Sequence, residues 1–306
     1  ALLLLTSSVA QSSRLIAYRN NLTTGGPAWS VPGFWVPPVH LEVNPLINIK
    51  NRFRKHIKGY SQLNKIENKK VIIFNNDFLK NKKKIKEKFD LVFLDPPYGD
   101  SVPYLEFSAL WNSFLKKKIN YKLDISVSDR IFQNENKWKK YGNDLNIRIK
   151  KILNFLKINS CILVTFNNHD HKAWKALLKA IQENYLVCVK STFQLPAVIS
   201  SKSQFSIDGS YISDIYSLFK VDYNKEYSLD DHKIKKALLN ASLIRNGKLT
   251  KSLVYRVIFL TFLNNNIHYS IIDKLDEVID DMFEKNLNQF YLKNFKSVSN
   301  IKIVKI

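Results

Sequence analysis

Short apolar runs alternate with stretches of helical spacing through the middle of this chain, and this alternation restricts the possible fold most strongly. Four runs are apolar and strand-like: residues 71–74, 90–94, 161–166 and 185–189. Helical patterns lie between them at residues 104–115, 143–156 and 174–181. The recurring strand–helix–strand order predicts an α/β fold with an open parallel sheet. Ligands of such sheets bind beyond the carboxyl ends of the strands, so residues just past each run are candidates for function.

The basic residues are numerous and unevenly placed. Lys and Arg number 48 against 26 Asp and Glu, so the formal net charge is +22. The region between residues 46 and 88 carries a large share of this surplus, concentrated in segments 50–58 and 80–88. A codon bias toward Lys is one explanation, although it would raise Glu as well. The positive electrostatic field of such a net charge favours a polyanionic partner, and nucleic acid is the first expectation.

Cysteine content and hydropathy bear on the compartment. Cys161 and Cys188 are the only two cysteines and lie in apolar runs, where cysteine usually acts as a small buried hydrophobe. A reducing compartment, the cytoplasm, is therefore expected. No stretch approaches the roughly 18–20 apolar residues of a membrane-spanning helix, so no membrane partner is expected.

The tetrapeptide Asp95-Pro96-Pro97-Tyr98 follows the run at residues 90–94 and is the strongest candidate for chemistry. Its prolines stiffen the backbone between an acid and an aromatic ring. An exocyclic amine of a nucleobase is a poor nucleophile because its lone pair is delocalised into the ring. The Asp95 carboxylate and the Pro96 carbonyl are placed to accept its two N–H groups, and Tyr98 would stack on a base flipped out of the duplex. The alternative is an ordinary strand-terminal turn.

Residues 92–98, Val-Phe-Leu-Asp-Pro-Pro-Tyr, resemble the catalytic motif of amino-group DNA methyltransferases. Residues 95–108 resemble the extended motif of a bacterial adenine-specific group, and the resemblance runs from about residue 40 to 220. It implies a Rossmann-like methyltransferase sheet and S-adenosyl-L-methionine as cofactor. It also implies DNA as substrate, with the N6 amine of adenine as the commoner target of this motif form.

The resemblance assigns roles to individual residues. It implies the catalytic residues Asp95, Pro96, Pro97 and Tyr98. Asp77 and Phe78 follow the run at 71–74, and they are similar to the family's acidic cofactor-binding position, with Asp95 as a further cofactor contact. For Asp77 the alternative is a helix cap or a turn residue.

Polar residues also follow the run at 161–166. Asn167 and Asn168 are placed to hydrogen-bond substrate or cofactor, with polar turn residues as the alternative. Asn167 is, with Tyr98, the predicted substrate-binding pair. His169 and His171 have no partners at metal-ligand spacing, so no metal site is expected.

One part of the family pattern is missing from this sequence. The family holds its cofactor on a Gly-rich loop after the first strand, where glycines let the backbone approach the ligand closely. The chain has eight glycines, and none forms a Gly-x-Gly turn after a strand. The methyltransferase sheet is therefore expected to be incomplete. Either a segment upstream of Ala1 or a partner subunit supplies the loop, or this copy has lost cofactor binding.

Three regions are expected. Residues 1–45 form an N-terminal helix and a Pro/Trp-rich linker, residues 46–222 the methyltransferase catalytic region, and residues 223–306 a helical domain with a DNA-binding or accessory role. The sequence predicts an adenine-specific DNA methyltransferase acting in restriction–modification or epigenetic marking. Two alternatives stay open. One is a cytosine N4 or RNA amino-group methyltransferase, and the other is a non-catalytic nucleic-acid-binding protein derived from a methyltransferase.

Overall fold

The computed structural model describes eleven stretches of the chain: residues 1–16, 36–40, 42–63, 79, 87–102, 104–128, 136–168, 170–194, 214–230, 232–244 and 251–275. The chain divides into two compact units. The first consists of Ala1–Asn76 with Pro103–Asp124, and the second of Asp77–Val102 with Ile125–Ile306. These units divide the chain at positions other than residues 45 and 222. The regional boundaries at those two residues stay predictions.

The second unit contains a four-stranded mixed sheet, which confirms the α/β class. Its strands are β1 (Phe89–Leu94), β2 (Leu156–Phe166), β3 (Leu186–Gln194) and β4 (Asp214–Val221). The spatial order is β1-β2-β4-β3, with β1 parallel to β2 and β4 antiparallel to both neighbours. Strands β1, β2 and β3 therefore run in one direction, as the strand–helix–strand pattern predicts. The insertion of β4 between β2 and β3 makes the sheet mixed instead of parallel.

Two helices build the core on one face of this sheet. They are α4 (Lys137–Leu153) and α5 (His171–Gln182). Their helical spacing brings apolar side chains onto one side, and alternate residues of β2 face them. The fully buried contributors are Tyr141 and Ile149 of α4, Trp174, Leu177 and Ile181 of α5, and Ile162 and Phe166 of β2. Asp170 is the N-cap of helix α5: its carboxylate accepts a hydrogen bond of 2.8 Å from the Lys172 backbone N–H and fixes this end of the helix.

Two C-terminal helices join the same core. They are α6 (His232–Ile244) and α7 (Lys251–Asn264), and both lie in the region 223–306, for which the sequence predicts helices. The Phe259 ring of α7 stacks on Trp174 with a centroid separation of 4.2 Å. Asn264 and Asn266 then pair with the backbone of β3: their side-chain oxygens each accept a bond of 2.7 Å, from Ser191 N–H and Cys188 N–H. These side chains satisfy backbone N–H groups of β3 that an edge strand would otherwise leave without a hydrogen-bond partner.

The described part of the first unit contains three α-helices: α1 (Leu2–Val9), α2 (Pro45–Leu63) and α3 (Tyr104–Phe114). Helix α2 meets α1 through a polar contact, because the Asn48 amide donates bonds of 3.1 Å to the Ser8 carbonyl and 2.9 Å to the Ser12 hydroxyl. The helical spacing of Phe53 and Ile57 predicts that both lie on a buried side of α2. Each is 53% exposed, so this prediction is wrong. The serine-rich end of α1 offers hydrogen-bond acceptors, and these select the polar face of α2.

Strand β1 also departs from its predicted environment. A continuous apolar run such as residues 90–94 is typical of a strand buried on both faces, but Leu91 and Phe93 are 55% and 59% exposed. Val92 and Leu94, on the opposite face, pack against the core. Successive side chains of a strand point to opposite faces, and within the described residues β1 lies at one edge of the sheet. An apolar run alone could not distinguish an edge strand from a central one.

Several predicted elements lie outside the described residues: the strand at 71–74, nearly all of the basic segment at 80–88, most of the Pro/Trp-rich linker and residues 276–306. The predicted cofactor residues Asp77 and Phe78 also lie there. None of the helices in the described ranges combines the length and the apolar content that crossing a lipid bilayer requires.

Candidate active site

The Asp95–Tyr98 turn lies at the carboxyl end of β1, where the strand–helix–strand pattern predicts a functional site. Strand β1 ends at Leu94, and the two prolines that follow have no backbone N–H with which to continue the ladder. Asp95 is exposed, Pro96 is buried and Tyr98 is partly buried. The acid is therefore open to a ligand, while the turn behind it is anchored in the protein.

Thr165 of β2 contacts both the acidic and the aromatic side chain of the turn. Its hydroxyl donates a hydrogen bond of 2.9 Å to Asp95 Oδ1 and accepts one of 3.3 Å from the Tyr98 hydroxyl. Thr165 is 4% exposed, and its strand pairs with β1 up to Leu94↔Val164. A buried residue of the neighbouring strand therefore joins the acid to the aromatic ring.

The Tyr98 side chain is partly buried. It packs on Phe166 with a centroid separation of 5.3 Å and an interplanar angle of 60°. Burial raises the pKa of the Tyr98 phenol well above its ordinary value, and the Asp95 and Asp214 carboxylates add to the rise, while the hydrogen bond with Thr165 opposes it. The hydroxyl therefore stays protonated at neutral pH and acts as a hydrogen-bond donor.

Helix α4 supports the turn from behind. The Tyr141 hydroxyl donates a bond of 2.5 Å to the Pro97 carbonyl and accepts one of 3.3 Å from Gly99 N–H. Gly99 has a φ of +61°, and a Cβ at this position would lie 2.9 Å from the Trp138 ring and 3.1 Å from the Asn168 side chain. Only glycine combines this left-handed backbone with so little space.

Asn168 connects the end of β2 to the same turn. Its amide nitrogen donates to the Tyr98 carbonyl at 2.6 Å and lies 3.1 Å from an Asp100 carboxylate oxygen. Its side-chain oxygen accepts a bond of 2.6 Å from Asp170 N–H, and its carbonyl accepts one of 3.0 Å from the Trp174 indole. With 2% exposure, Asn168 is a structural support for the turn.

Asn167, the predicted substrate residue, lies at the same end of the sheet. Its amide donates a bond of 3.1 Å to the Asp214 carboxylate at the start of β4. The structure therefore brings Asn167 to the edge that carries Asp95 and Tyr98, and it adds Asp214, which the sequence did not single out. Whether Asn167 contacts a substrate stays a prediction.

Sequence reasoning missed two supporting residues, Thr165 and Tyr141. Thr165 is the one polar residue in the apolar run 161–166, and that break in the pattern was a usable signal. Tyr141 carries no such signal, because an aromatic residue on the buried side of a helix is ordinary core. Its role depends on a contact between distant parts of the chain, which residue spacing does not encode.

The described part of the site has groups suited to the acceptor of a methyl group, but it does not include a loop that could hold the methyl donor. A carboxylate, a rigid turn and an aromatic ring suit a nucleobase amine. The described glycines do not form a cofactor loop: Gly59 and Gly142 lie inside helices α2 and α4, and Gly99 belongs to the turn. Nor do the described ranges bring together three His, Cys, Asp or Glu residues able to hold a metal ion.

Comparisons with known proteins give one sequence relative. The chain is 31% identical over 158 residues to the Type II methyltransferase M.MvaI of Kocuria varians, a match that covers 47% of this chain and 33% of the relative. The chain thus spans about a third of that relative's length.

A crystal structure of a methyltransferase homolog protein from Pyrococcus horikoshii also matches, at 15% sequence identity and a TM-score of 0.30. The match covers 56% of this chain and 51% of the Pyrococcus chain. At that score the likeness supports no conclusion about this chain. No protein-family model matches the sequence. The chain is therefore similar to a Type II methyltransferase over about half of its length.

Proposed function

We propose that this chain is the catalytic part of a DNA methyltransferase that transfers the methyl group of S-adenosyl-L-methionine to the N6 amine of adenine. The observation that carries the proposal is the arrangement at the end of β1, where the exposed Asp95 and the partly buried Tyr98 share a hydrogen-bond partner in Thr165. The sequence similarity to a Type II methyltransferase supports a methyl-transfer reaction.

The residues of the turn act on the amine. The Asp95 carboxylate and the Pro96 carbonyl accept its two N–H groups, so the nitrogen becomes pyramidal and its lone pair leaves conjugation with the ring. S-adenosyl-L-methionine, when bound, supplies an electrophilic methyl group on a sulfonium sulfur. In that transfer the C–S bond would break as the N–C bond forms. Asp95 would accept the extra proton of the nitrogen and pass it to solvent. Tyr98 offsets part of the cost of unstacking the base.

DNA is the proposed substrate, and helix α2 is the described element best suited to bind its backbone. Its exposed basic residues are Lys50, Arg54, Lys55 and Lys58. Lys and Arg that contact phosphates release counterions, so binding should weaken steeply as salt rises. The exposed Phe53 and Tyr60 on the same helix give aromatic rings beside these charges, a combination that suits nucleic acid.

The cofactor half of the site requires residues beyond those described. We propose that Asp77 and Phe78 contact the adenosine part of the cofactor. The Gly-rich turn, which this sequence lacks, would come from an upstream segment or from a partner subunit. The protein would act in the cytoplasm, where the free thiols of Cys161 and Cys188 would stay reduced, in restriction–modification or epigenetic marking.

Methylation of unmodified plasmid with radiolabelled S-adenosyl-L-methionine tests the proposal. The chain should be assayed together with whatever sequence naturally precedes it, and the label mapped by nucleoside analysis. We expect N6-methyladenine. Label in N4-methylcytosine, or label only with structured RNA as substrate, would show that the methylated base is not adenine in DNA. The proposed methyl-transfer reaction would still hold. Salt-sensitive DNA binding without any label would favour a non-catalytic nucleic-acid-binding protein.

A further inference from the structure

Two hydrogen bonds meet at a single hydroxyl, that of Thr165. Thr165 Oγ1 lies 2.9 Å from Asp95 Oδ1 and 3.3 Å from the Tyr98 hydroxyl oxygen. A threonine hydroxyl has one proton to donate. An ionised carboxylate only accepts, so that proton points to Asp95, and the Tyr98 hydroxyl donates to Thr165. The direction of the chain of hydrogen bonds is therefore fixed, from Tyr98 through Thr165 to Asp95.

The place of Thr165 in the sheet makes this hydroxyl a rigid reference point. Strand β2 pairs with β1 on one side and with β4 on the other, where Thr165 is registered with Tyr216. The residue is 4% exposed, and its β-branched side chain has restricted χ1 freedom. Asp95, in contrast, is exposed and lies in a turn, so its carboxylate needs an external support to hold one orientation.

We propose that Thr165 is a positioning residue for the methyl-transfer reaction, whose single hydroxyl orients the Asp95 carboxylate and anchors the Tyr98 ring. This role presupposes the proposed function. With Oδ1 held by Thr165, Oδ2 is the oxygen that accepts an amine N–H. The ring that stacks on the flipped base is set by the same contact, so the amine acceptor and the stacking surface keep a fixed separation.

Two substitutions separate the hydroxyl from the shape of the side chain. Thr165→Val keeps the volume and removes both hydrogen bonds, whereas Thr165→Ser keeps the hydroxyl. We expect Thr165→Val to lower kcat for methylation of an adenine-containing duplex by about 10–100-fold, since a misplaced group of this kind costs about that much. KM for DNA should change by less than about threefold, because phosphate contacts dominate DNA affinity. Thr165→Ser should recover most of the rate.

Thr261→Val is the matched control. The Thr261 hydroxyl donates a bond of 2.7 Å to the Val257 carbonyl within its own helix, α7, so the same chemical change is made away from the turn. Equal kcat values for the wild type and Thr165→Val would overturn the role of Thr165. Equal losses in the valine and serine variants would overturn it too, because they would show that the hydroxyl is not what matters.

A second readout needs neither DNA nor methyl donor. Tyrosine labelled with ¹³C at Cζ reports the hydrogen bond of each phenol by NMR, and Tyr98→Phe identifies the Tyr98 resonance. We expect this resonance to shift in Thr165→Val and to keep its position in Thr165→Ser. An unmoved resonance in Thr165→Val would reject the anchoring of Tyr98. Absence of methyl transfer by the wild-type chain, assayed together with the segment or subunit that supplies the Gly-rich turn, would reject the proposed function. The NMR result would still decide whether Thr165 positions Tyr98.

Discussion

The side-chain amide of Asn168 donates a hydrogen bond of 2.6 Å to the backbone carbonyl of Tyr98, and so joins the loop after β2 to the turn after β1. Asn168 is 2% exposed and receives a bond from Asp170 N–H in return. The prolines restrict the backbone of the turn, but this contact and the Tyr141 bond to the Pro97 carbonyl hold the turn against the sheet.

Replacing Asn168 should destabilise the fold through the turn. Asn168→Ala leaves the Asp170 N–H without the Asn168 side-chain oxygen, and the Tyr98 carbonyl keeps only its bond of 3.2 Å from Ser101 N–H. A buried polar group that loses its partner costs about 1–3 kcal/mol. We expect a loss of about 2 kcal/mol in the free energy of unfolding, measured with urea. Asn167→Ala is the neighbouring control and should lose less, because Asn167 is only partly buried. A larger loss at Asn167 would contradict this account.

Removing the Asp95 charge should stop the reaction and leave the fold intact. Asp95→Ala removes both carboxylate oxygens and so the acceptor that the amine needs, and methyl transfer should fall by about 10²–10⁴-fold. Binding of DNA at moderate salt should change little. Asp90→Ala is the control on the same strand: Asp90 is exposed and pairs with Lys157 at 2.8 Å. Normal transfer by Asp95→Ala would reject the catalytic assignment.

Alanine at two glycines should have opposite effects. Gly99→Ala forces a side chain into left-handed backbone and against the Trp138 ring, 2.9 Å from the new Cβ, so we expect a loss of about 1–3 kcal/mol. Gly142→Ala, inside α4, meets Ala176 at 3.4 Å. Better helix propensity should make it neutral or up to about 1 kcal/mol stabilising. Thermal unfolding measures both, and a stable Gly99→Ala would contradict the geometry of the turn.

Alkaline pH should weaken the fold through Tyr227. Its hydroxyl donates to the Leu186 carbonyl at 3.0 Å, and burial, with a contribution from Asp222, raises the pKa of Tyr227 to about 12. Below the ordinary tyrosine pKa of about 10 the stabilisation is complete. It is lost as pH rises toward the folded-state value, because the unfolded phenol ionises first.

The measurement is the urea unfolding free energy between pH 9 and 12. Wild-type stability should fall over this range, and Tyr227→Phe should show a shallower fall because it has no phenol to ionise at this position. Parallel pH profiles for the two proteins would show that Tyr227 does not contribute.

Local patterns predicted the described elements well. Helix α5 and strand β1 lie within a few residues of the segments that periodicity indicates, since amphipathic spacing and apolar runs are properties of adjacent residues. The environment of an element was predicted less well. The apolar Phe53 is exposed on α2 and Phe93 on β1, because burial depends on which other element covers a face.

The sequence by itself determined the α/β class, the position of Asp95-Pro96-Pro97-Tyr98 at a strand end and the resemblance that this tetrapeptide carries. Each depends on residues that are neighbours along the chain. Only the tertiary structure decided that β4 inserts between β2 and β3, and that Thr165, Tyr141 and Asn168 hold the turn. These contacts join residues 44 to 70 positions apart, and hydrogen bonds at such separations form only once strand pairing and core packing bring the segments together.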